Sequence, residues 1–221
     1  MDRVVIYHGS DHIVKEPEYG FGGVHNDYGP GFYCTQDIEI AKEWANKSTE
    51  FGYVNKYQFD GRGLKVLDLT SDKYSVLNWI AILMHYRDIS LANRELYKRA
   101  LAFLEDNYFI DISEFDVIIG YRADDSYFKF PLSFIKNELS IEKLEEIYKL
   151  GDLGKQIVLI SEKAFSKLTF LKAEIVNPIY KERYQTRKNE ADIKFERIRI
   201  EEINSLSSKI MDLVKDYDKR K

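Results

Sequence analysis

Three stretches carry side chains whose types and spacing suit chemistry on a bound ligand. The first is Tyr7-His8-Gly9-Ser10, an imidazole and a hydroxyl on either side of a glycine where the apolar run Val4 to Tyr7 ends. The second runs from Asp27 to Ala45. There Gly29, Pro30 and Gly31 lead into Phe32-Tyr33-Cys34-Thr35, and a helical pattern with Ile38, Ala41, Trp44 and Ala45 on one face follows at once. The glycines, Gly31 among them, let backbone come close to a ligand or to another segment, and Pro30 stiffens the approach. Thr35 or Asp37 accepts the free amides of the helix start. An aromatic ring is thereby held at the edge of a backbone-lined cleft, although Gly-Pro-Gly before an aromatic is also ordinary turn chemistry. The third is Asp124-Asp125, which follows a buried strand, where carboxylates are costly unless solvated, capping a helix, or used.

Two rival chemistries fit less well. His8, His12, His25 and the aspartate pair hold metal-ligand atoms, but His8 and His12 flank a Gly-Ser turn, not a helix that would align them, and no H-E-x-x-H spacing exists. Cys34 beside a histidine would make a nucleophilic pair, yet its place next to Tyr33 on a short strand points it into the core. No metal site is expected.

The elements that position these residues follow from periodicity. Val4 to Tyr7 is a first strand, Asp11 to Tyr28 a long loop over the cleft, and Asp37 to Ser48 a helix. Val54 to Phe59 and Leu64 to Leu69 read as strands joined in a hairpin-like way through Asp60-Gly61-Arg62-Gly63. Apolar faces predict a helix from Ser71 or Asp72 to about Tyr86 and another from about Ala92 to Leu104, packed together as an insert over about 71–105. Phe115 to Tyr121 is the clearest buried strand, and a helical run containing Pro131 follows. Ser140 starts a helix over Ile141 to Leu150, Gln156 to Ile160 is a strand, Ser161 caps a helix to Leu168, and Thr169 to Val176 is the last strand. Strands and helices of unequal length, without a regular βαβ repeat or phosphate loop, predict an α+β domain over 1–176. A charged tail over 177–221 keeps Ile203, Leu206, Ile210, Leu213 and Tyr217 at helical spacing, an apolar stripe that folds back on the domain or receives a partner.

Composition bounds the rest. The chain has 221 residues, 44% hydrophobic and 32% charged, enough for one well-cored domain with an appendage. A net charge of -4 gives no global drive toward nucleic acid. The single cysteine excludes an intrachain disulfide and a zinc site built on this chain's own cysteines, which suits a reducing compartment. The longest apolar run, Trp79 to Met84, is far below the roughly 20 residues a bilayer needs, and no signal-peptide core is visible, so a cytoplasmic protein without membrane contact is expected.

His-Gly-Ser at a strand end, a loop, and G-x-G-aromatic-Tyr before a helix resemble the first two signature elements of ADP-ribosyltransferases with the His-Tyr-Glu layout. More narrowly, the chain resembles DUF3990, a bacterial family assigned to that superfamily, from about Val4 to Phe170. The resemblance implies a split β-sandwich that binds NAD⁺ between two small sheets, with NAD⁺ consumed as substrate. It implies that His8 bonds a ribose hydroxyl, that Gly9 offers its backbone to the carboxamide, and that Tyr33 stacks on the pyridinium, a cationic ring drawn to a π face. Ser10, Gly31 and Thr35 complete the expected cofactor contacts.

The third signature element departs from the layout. Its glutamate would stand at the start of the strand Gln156 to Ile160, and the position holds Gln156, which forms hydrogen bonds but carries no charge and cannot act as a general base. Asp124 or Asp125 is the expected source of a carboxylate, one capping a helix and the other facing the cleft. Arginine-modifying relatives carry a Glu or Gln two residues before the catalytic position, where this chain has Gly154, so nothing indicates an arginine acceptor. The resemblance thus implies mono-ADP-ribosylation of a macromolecule, protein or nucleic acid, in a toxin or defence effector held silent by an antitoxin or other regulatory protein. A non-catalytic NAD or ADP-ribose module, and an NAD glycohydrolase, are the alternatives.

Overall fold

A computed structural model describes residues 1–46, 51–87, 97–123, 127–150, 154–203 and 205–220. Among them the chain builds two small sheets with helices around them. In the first sheet β1 (Arg3–Ser10) pairs antiparallel with the central β3 (Gly52–Asp60), which pairs antiparallel with β7 (Leu168–Val176) on its other side. The second has the order β2 (Phe32–Cys34), β6 (Lys155–Leu159), β5 (Val117–Tyr121), β4 (Val66–Asp68), antiparallel except for the parallel β4 and β5.

Alternation along the strands explains the layering. Ile6, Tyr57 and Phe59 of the first sheet meet Phe32, Cys34, Val117, Ile157 and Leu159 of the second in one buried cluster. The intervening residues Ile118 and Val158 point the other way, into a larger cluster formed by helices. Each sequence run is continuously apolar because the second sheet is covered on both faces. Cys34 is fully buried in the inter-sheet layer, and burial pushes its thiol well above the ordinary range, so it is a packing residue.

Two expectations are corrected, the hairpin through residues 60–63 and the residue that caps the first helix of the insert. The strands on either side of Asp60-Gly61-Arg62-Gly63 do not form a hairpin: β3 lies in the first sheet and β4 in the second, so this corner carries the chain from one sheet to the other, with Gly63 at φ 74°. The helices read as an insert, α2 (Val76–Tyr86) and α3 (Lys98–Tyr108), lie on the connection from β4 to β5. A parallel pair needs such a crossover. Ser75, not Ser71 or Asp72, caps α2: its hydroxyl accepts the Leu77 N–H while Asn78 accepts the Ser75 N–H, each at 2.9 Å. The part of the second predicted helix before Tyr97 lies outside the described residues.

α1 (Ile38–Ala45) is capped by Asp37, which accepts the Glu39 N–H at 2.8 Å. Farther on come α4 (Lys129–Ile135), with Pro131 in its first turn where no N–H is missed, α5 (Ile141–Leu150) and the short α6 (Glu162–Phe165), capped by Ser161. The tail forms α7 (Ile179–Glu202) and α8 (Ile210–Asp218). Ile210 and Val214 are buried in the cluster that holds Trp79, and so is Ile198 of α7. Ile203 and Leu206 are exposed at the break between the helices, so the stripe begins only at Ile210. Among the described residues no helix is long and apolar enough to cross a membrane.

Candidate active site

The two sheets touch at one backbone bridge, where Tyr7 and Thr35 exchange N–H to carbonyl bonds of 2.8 and 2.9 Å. Beyond it β1 and β2 part company, and the gap between them is the mouth of a cavity of about 500 Å³. His8, Gly31, Tyr33 and Gln156, drawn from three strands and a loop, all line it. Most of the remaining wall comes from the 11–28 loop, which has neither helix nor strand and lies over the opening, with Phe21 and Gly22 at its rim.

His8 donates from Nδ1 to the Tyr33 carbonyl oxygen at 2.7 Å. A carbonyl only accepts, so Nδ1 carries the proton and the neutral ring leaves Nε2 as an acceptor. Burial pulls its pKa below the ordinary value, which favours that neutral form. The ring rests against Phe32 with centroids 4.4 Å apart.

Gly9 has two constraints. A Cβ there would lie 2.0 Å from the Ala41 carbonyl oxygen and 2.7 Å from the Ala45 nitrogen, so the absent side chain is what lets α1 sit on β1. Because Tyr7 turns its peptide groups to Thr35, away from β3, strand alternation turns those of Gly9 to the same open edge. Gly9, Ser10 and Thr35 are not among the cavity-lining residues. Ser10 accepts from Asn55 at 2.9 Å and donates to the His12 carbonyl at 2.6 Å, fixing the start of the loop. Thr35 is buried at the bridge, where its hydroxyl accepts the Asp37 N–H at 3.1 Å.

Tyr33 is half-buried, and its hydroxyl latches the preceding turn by donating to the Gly29 carbonyl at 2.6 Å and accepting from the Tyr28 N–H at 3.0 Å. Burial raises its pKa far out of the working range, so the phenol stays protonated. Tyr28, fully buried, donates to the Tyr121 carbonyl at 2.8 Å and lies where a Gly120 side chain would be, which ties the turn to β5.

That anchoring brings in a carboxylate to which the sequence reading gave no role. Asp27 is 7% exposed and lines the cavity. Its Oδ1 accepts from Arg87 Nε at 2.9 Å, and its Oδ2 accepts from the Ala123 N–H at 2.8 Å and from Gln156 Nε2 at 2.9 Å. Burial raises its pKa, with Arg87 and the two N–H donors opposing the shift. Asp124 and Asp125, the expected carboxylates, lie outside the described residues. An aspartate just before a tyrosine and a Gly-Pro-Gly turn was the available signal; its partners Arg87 and Gln156 are 60 and 129 positions away, beyond the reach of pattern reading.

Gln156 is 3% exposed. It also donates to the Tyr121 carbonyl at 3.0 Å, which commits both amide hydrogens. Arg122, buried at the cavity wall, holds its guanidinium 4.9 Å from the Trp44 ring centroid and adds positive charge beside Asp27. The cavity therefore joins a neutral imidazole, an aromatic ring, a side-chain amide, the buried cation of Arg122 and the half-buried one of Arg87.

The metal alternative finds no cluster: among the described residues no three His, Cys, Asp or Glu side chains come together. His12 bonds Asp11, and His25 faces the Tyr86 carbonyl.

No curated protein and no solved structure matches the chain. The model of one family, described as a protein of unknown function (DUF3990), matches residues 4–170, which include both sheets up to Phe170 of β7 and every described lining residue of the cavity. On that match, which spans most of its length, the chain belongs to the DUF3990 family.

Proposed function

We propose that the cavity binds NAD⁺ and that the protein transfers ADP-ribose from it to a macromolecular acceptor, releasing nicotinamide. The observation that carries this reading is the convergence of His8, Tyr33 and Gln156 on one cavity at the point where two small sheets diverge. These are the residues that the resemblance sets at the three signature positions of the ADP-ribosyltransferase layout, and two small sheets around a cleft are what that resemblance implies.

Each group has a physical task. The Gly9 peptide edge offers a donor and an acceptor to the carboxamide, as a strand would. Tyr33, its hydroxyl tied back by Gly29 and Tyr28, holds its ring in one place for the pyridinium. His8 Nε2 accepts from a ribose hydroxyl. Arg122, a planar cation on the wall, suits the diphosphate. The Gln156 carbonyl accepts from the hydroxyl beside the anomeric carbon, so the sugar is oriented while its bond to nicotinamide breaks with positive charge on the ring. The acceptor then attacks the anomeric carbon in place of the departed nicotinamide, and its proton passes to solvent.

A second reading, a module that binds NAD⁺ without cleaving it, is favoured by one observation: the amide of Gln156 bears no charge. Incubation of the full chain with adenylate-labelled NAD⁺ and cell extract, beside Tyr33→Ala, separates the two. Free nicotinamide and label on protease- or ribonuclease-sensitive material, both lost in Tyr33→Ala, are expected. Nicotinamide without macromolecular label means hydrolysis of NAD⁺. Neither product, with NAD⁺ still raising the melting temperature, means a binding module.

A further inference from the structure

We propose that Asp27 is the positioning residue of this site, acting through Gln156: it fixes the amide so that Oε1 faces the cavity and supplies the negative charge that Gln156 lacks. The inference rests on the transferase reading and divides between two residues what the layout assigns to one glutamate.

The geometry settles which way the amide points. Gln156 Nε2 lies 2.9 Å from Asp27 Oδ2 and 3.0 Å from the Tyr121 carbonyl, and both of those atoms only accept. Swapping oxygen and nitrogen would set lone pairs against lone pairs at both contacts. Oε1 is therefore turned away from both, and no donor among the described residues meets it, while Gln156 itself lines the cavity. An acceptor so held matches the need of a ribose hydroxyl, which must donate.

The charge comes from one bond farther back. Asp27 is buried, and its oxygens take three donors, from Arg87, Ala123 and Gln156. A carboxylate hydrogen-bonded to the N–H side of an amide polarises it and enriches its oxygen, an effect strengthened where water is excluded. As positive charge develops on the sugar, the Asp27–Gln156 unit meets it with a fixed dipole and a fixed anion. Arg87 opposes the rise that burial imposes on the carboxyl's pKa and holds its plane, with a second bond of 2.7 Å to the Ala123 carbonyl.

The arrangement makes a test that a merely structural aspartate would fail. In a Gln156→Glu chain, which carries the glutamate of the layout, two carboxylates face each other across a contact of 2.9 Å. That variant is expected to lose turnover, not gain it. Asp27→Asn is expected to lower kcat for nicotinamide release about 10- to 100-fold, the usual cost of removing an orienting partner, with KM for NAD⁺ within about threefold. The double variant Asp27→Asn/Gln156→Glu moves the charge onto residue 156 and lets the new amide at position 27 donate to it, while the Tyr121 carbonyl still faces an oxygen, and should recover at least about tenfold of the kcat that Gln156→Glu loses. All four full-length chains are assayed for nicotinamide release, with a thermal melt of each.

A folded Asp27→Asn with wild-type kcat, or a Gln156→Glu as active as wild type, overturns the role of Asp27 and leaves the transferase reading standing. A wild-type chain that releases no nicotinamide overturns that reading, and this role with it. If Asp27→Asn alone does not fold, Gln156→Glu decides the matter by the same criterion.

Discussion

Replacing Gly9 by alanine puts the joint between β1 and α1 under a load that can be worked out. The added Cβ lies 2.0 Å from the Ala41 carbonyl oxygen, 2.7 Å from the Ala45 nitrogen and 3.0 Å from Trp44 Cβ. Carbon and oxygen rest at about 3.3 Å, so α1 must retreat by roughly 1.3 Å. Two of the obstacles are helix backbone, which no rotamer change removes. Retreat opens the small cluster of Ala41, Ala45, Val54 and Val176 and carries Trp44, on which Arg122 lies, away from the cavity. Overpacking of this kind costs about 1–3 kcal/mol, and rigid backbone obstacles place it near 3. For a chain of this size, that lowers the melting temperature by about 6–12 °C. Gly23→Ala is the control: its nearest contacts are the Asn26 side chain at 3.4 Å and beyond, so its melt should stay within about 2 °C of wild type. Differential scanning calorimetry of the three chains reads both. A Gly9→Ala melt within 2 °C of wild type would refute the reasoning, and would mean that the glycine serves only the ligand side of the strand.

Two further outcomes follow from the same contacts. Because burial depresses the pKa of His8, the unfolded chain takes up its proton first on acidification, so this group's contribution to stability is complete above about pH 6.5 and is lost as pH falls from there through the folded value, by up to about 1.4 kcal/mol per pH unit. His8→Gln keeps a donor for the Tyr33 carbonyl and should flatten urea-derived stability between pH 7 and 5 relative to wild type; parallel curves would refute it. The comparison with the variant is needed because Asp27, raised by burial, acts in the opposite sense toward lower pH. Glu202, 4% exposed, accepts the Ser140 N–H at 2.8 Å and its hydroxyl at 3.1 Å. Glu202→Ala strands a buried N–H at a cost of about 1–3 kcal/mol and should speed proteolysis in the 203–209 connection, while an unchanged cleavage rate would show that the tail is held by other contacts.

Much of this architecture is readable locally. Asp37, Ser140 and Ser161 mark helix starts that the structure bears out, because capping is a matter of three or four adjacent residues. The buried strands were legible in their apolar runs, as was the loop between Ser10 and Phe32 in its glycines and charges. What was not legible depends on partners far along the chain. The false hairpin at Gly61 arises because a tight turn signal is the same whether the next strand pairs back or crosses to another sheet. Motif order singled out His8, Tyr33 and Gln156, which line one cavity, whereas Asp27 needed a contact with Gln156 that only the fold creates. Gly9 was read for its peptide edge alone, because the helix that fills its Cβ position is invisible in the residues around it.

The burial of Ile198, Ile210 and Val214 beside Trp79 has a consequence for synthesis on the ribosome. α2 is apolar nearly all round, and part of its cover is made much later: Met84 and Val214, members of one cluster, stand 130 positions apart. At roughly 5–20 residues per second, the nascent chain exposes that helix for on the order of ten seconds before its final cover emerges. A transcript that stalls, or a codon change that slows the second half of translation, lengthens that window. The time for which α2 lacks this cover thus scales with how slowly the stretch from α2 to α8 is made.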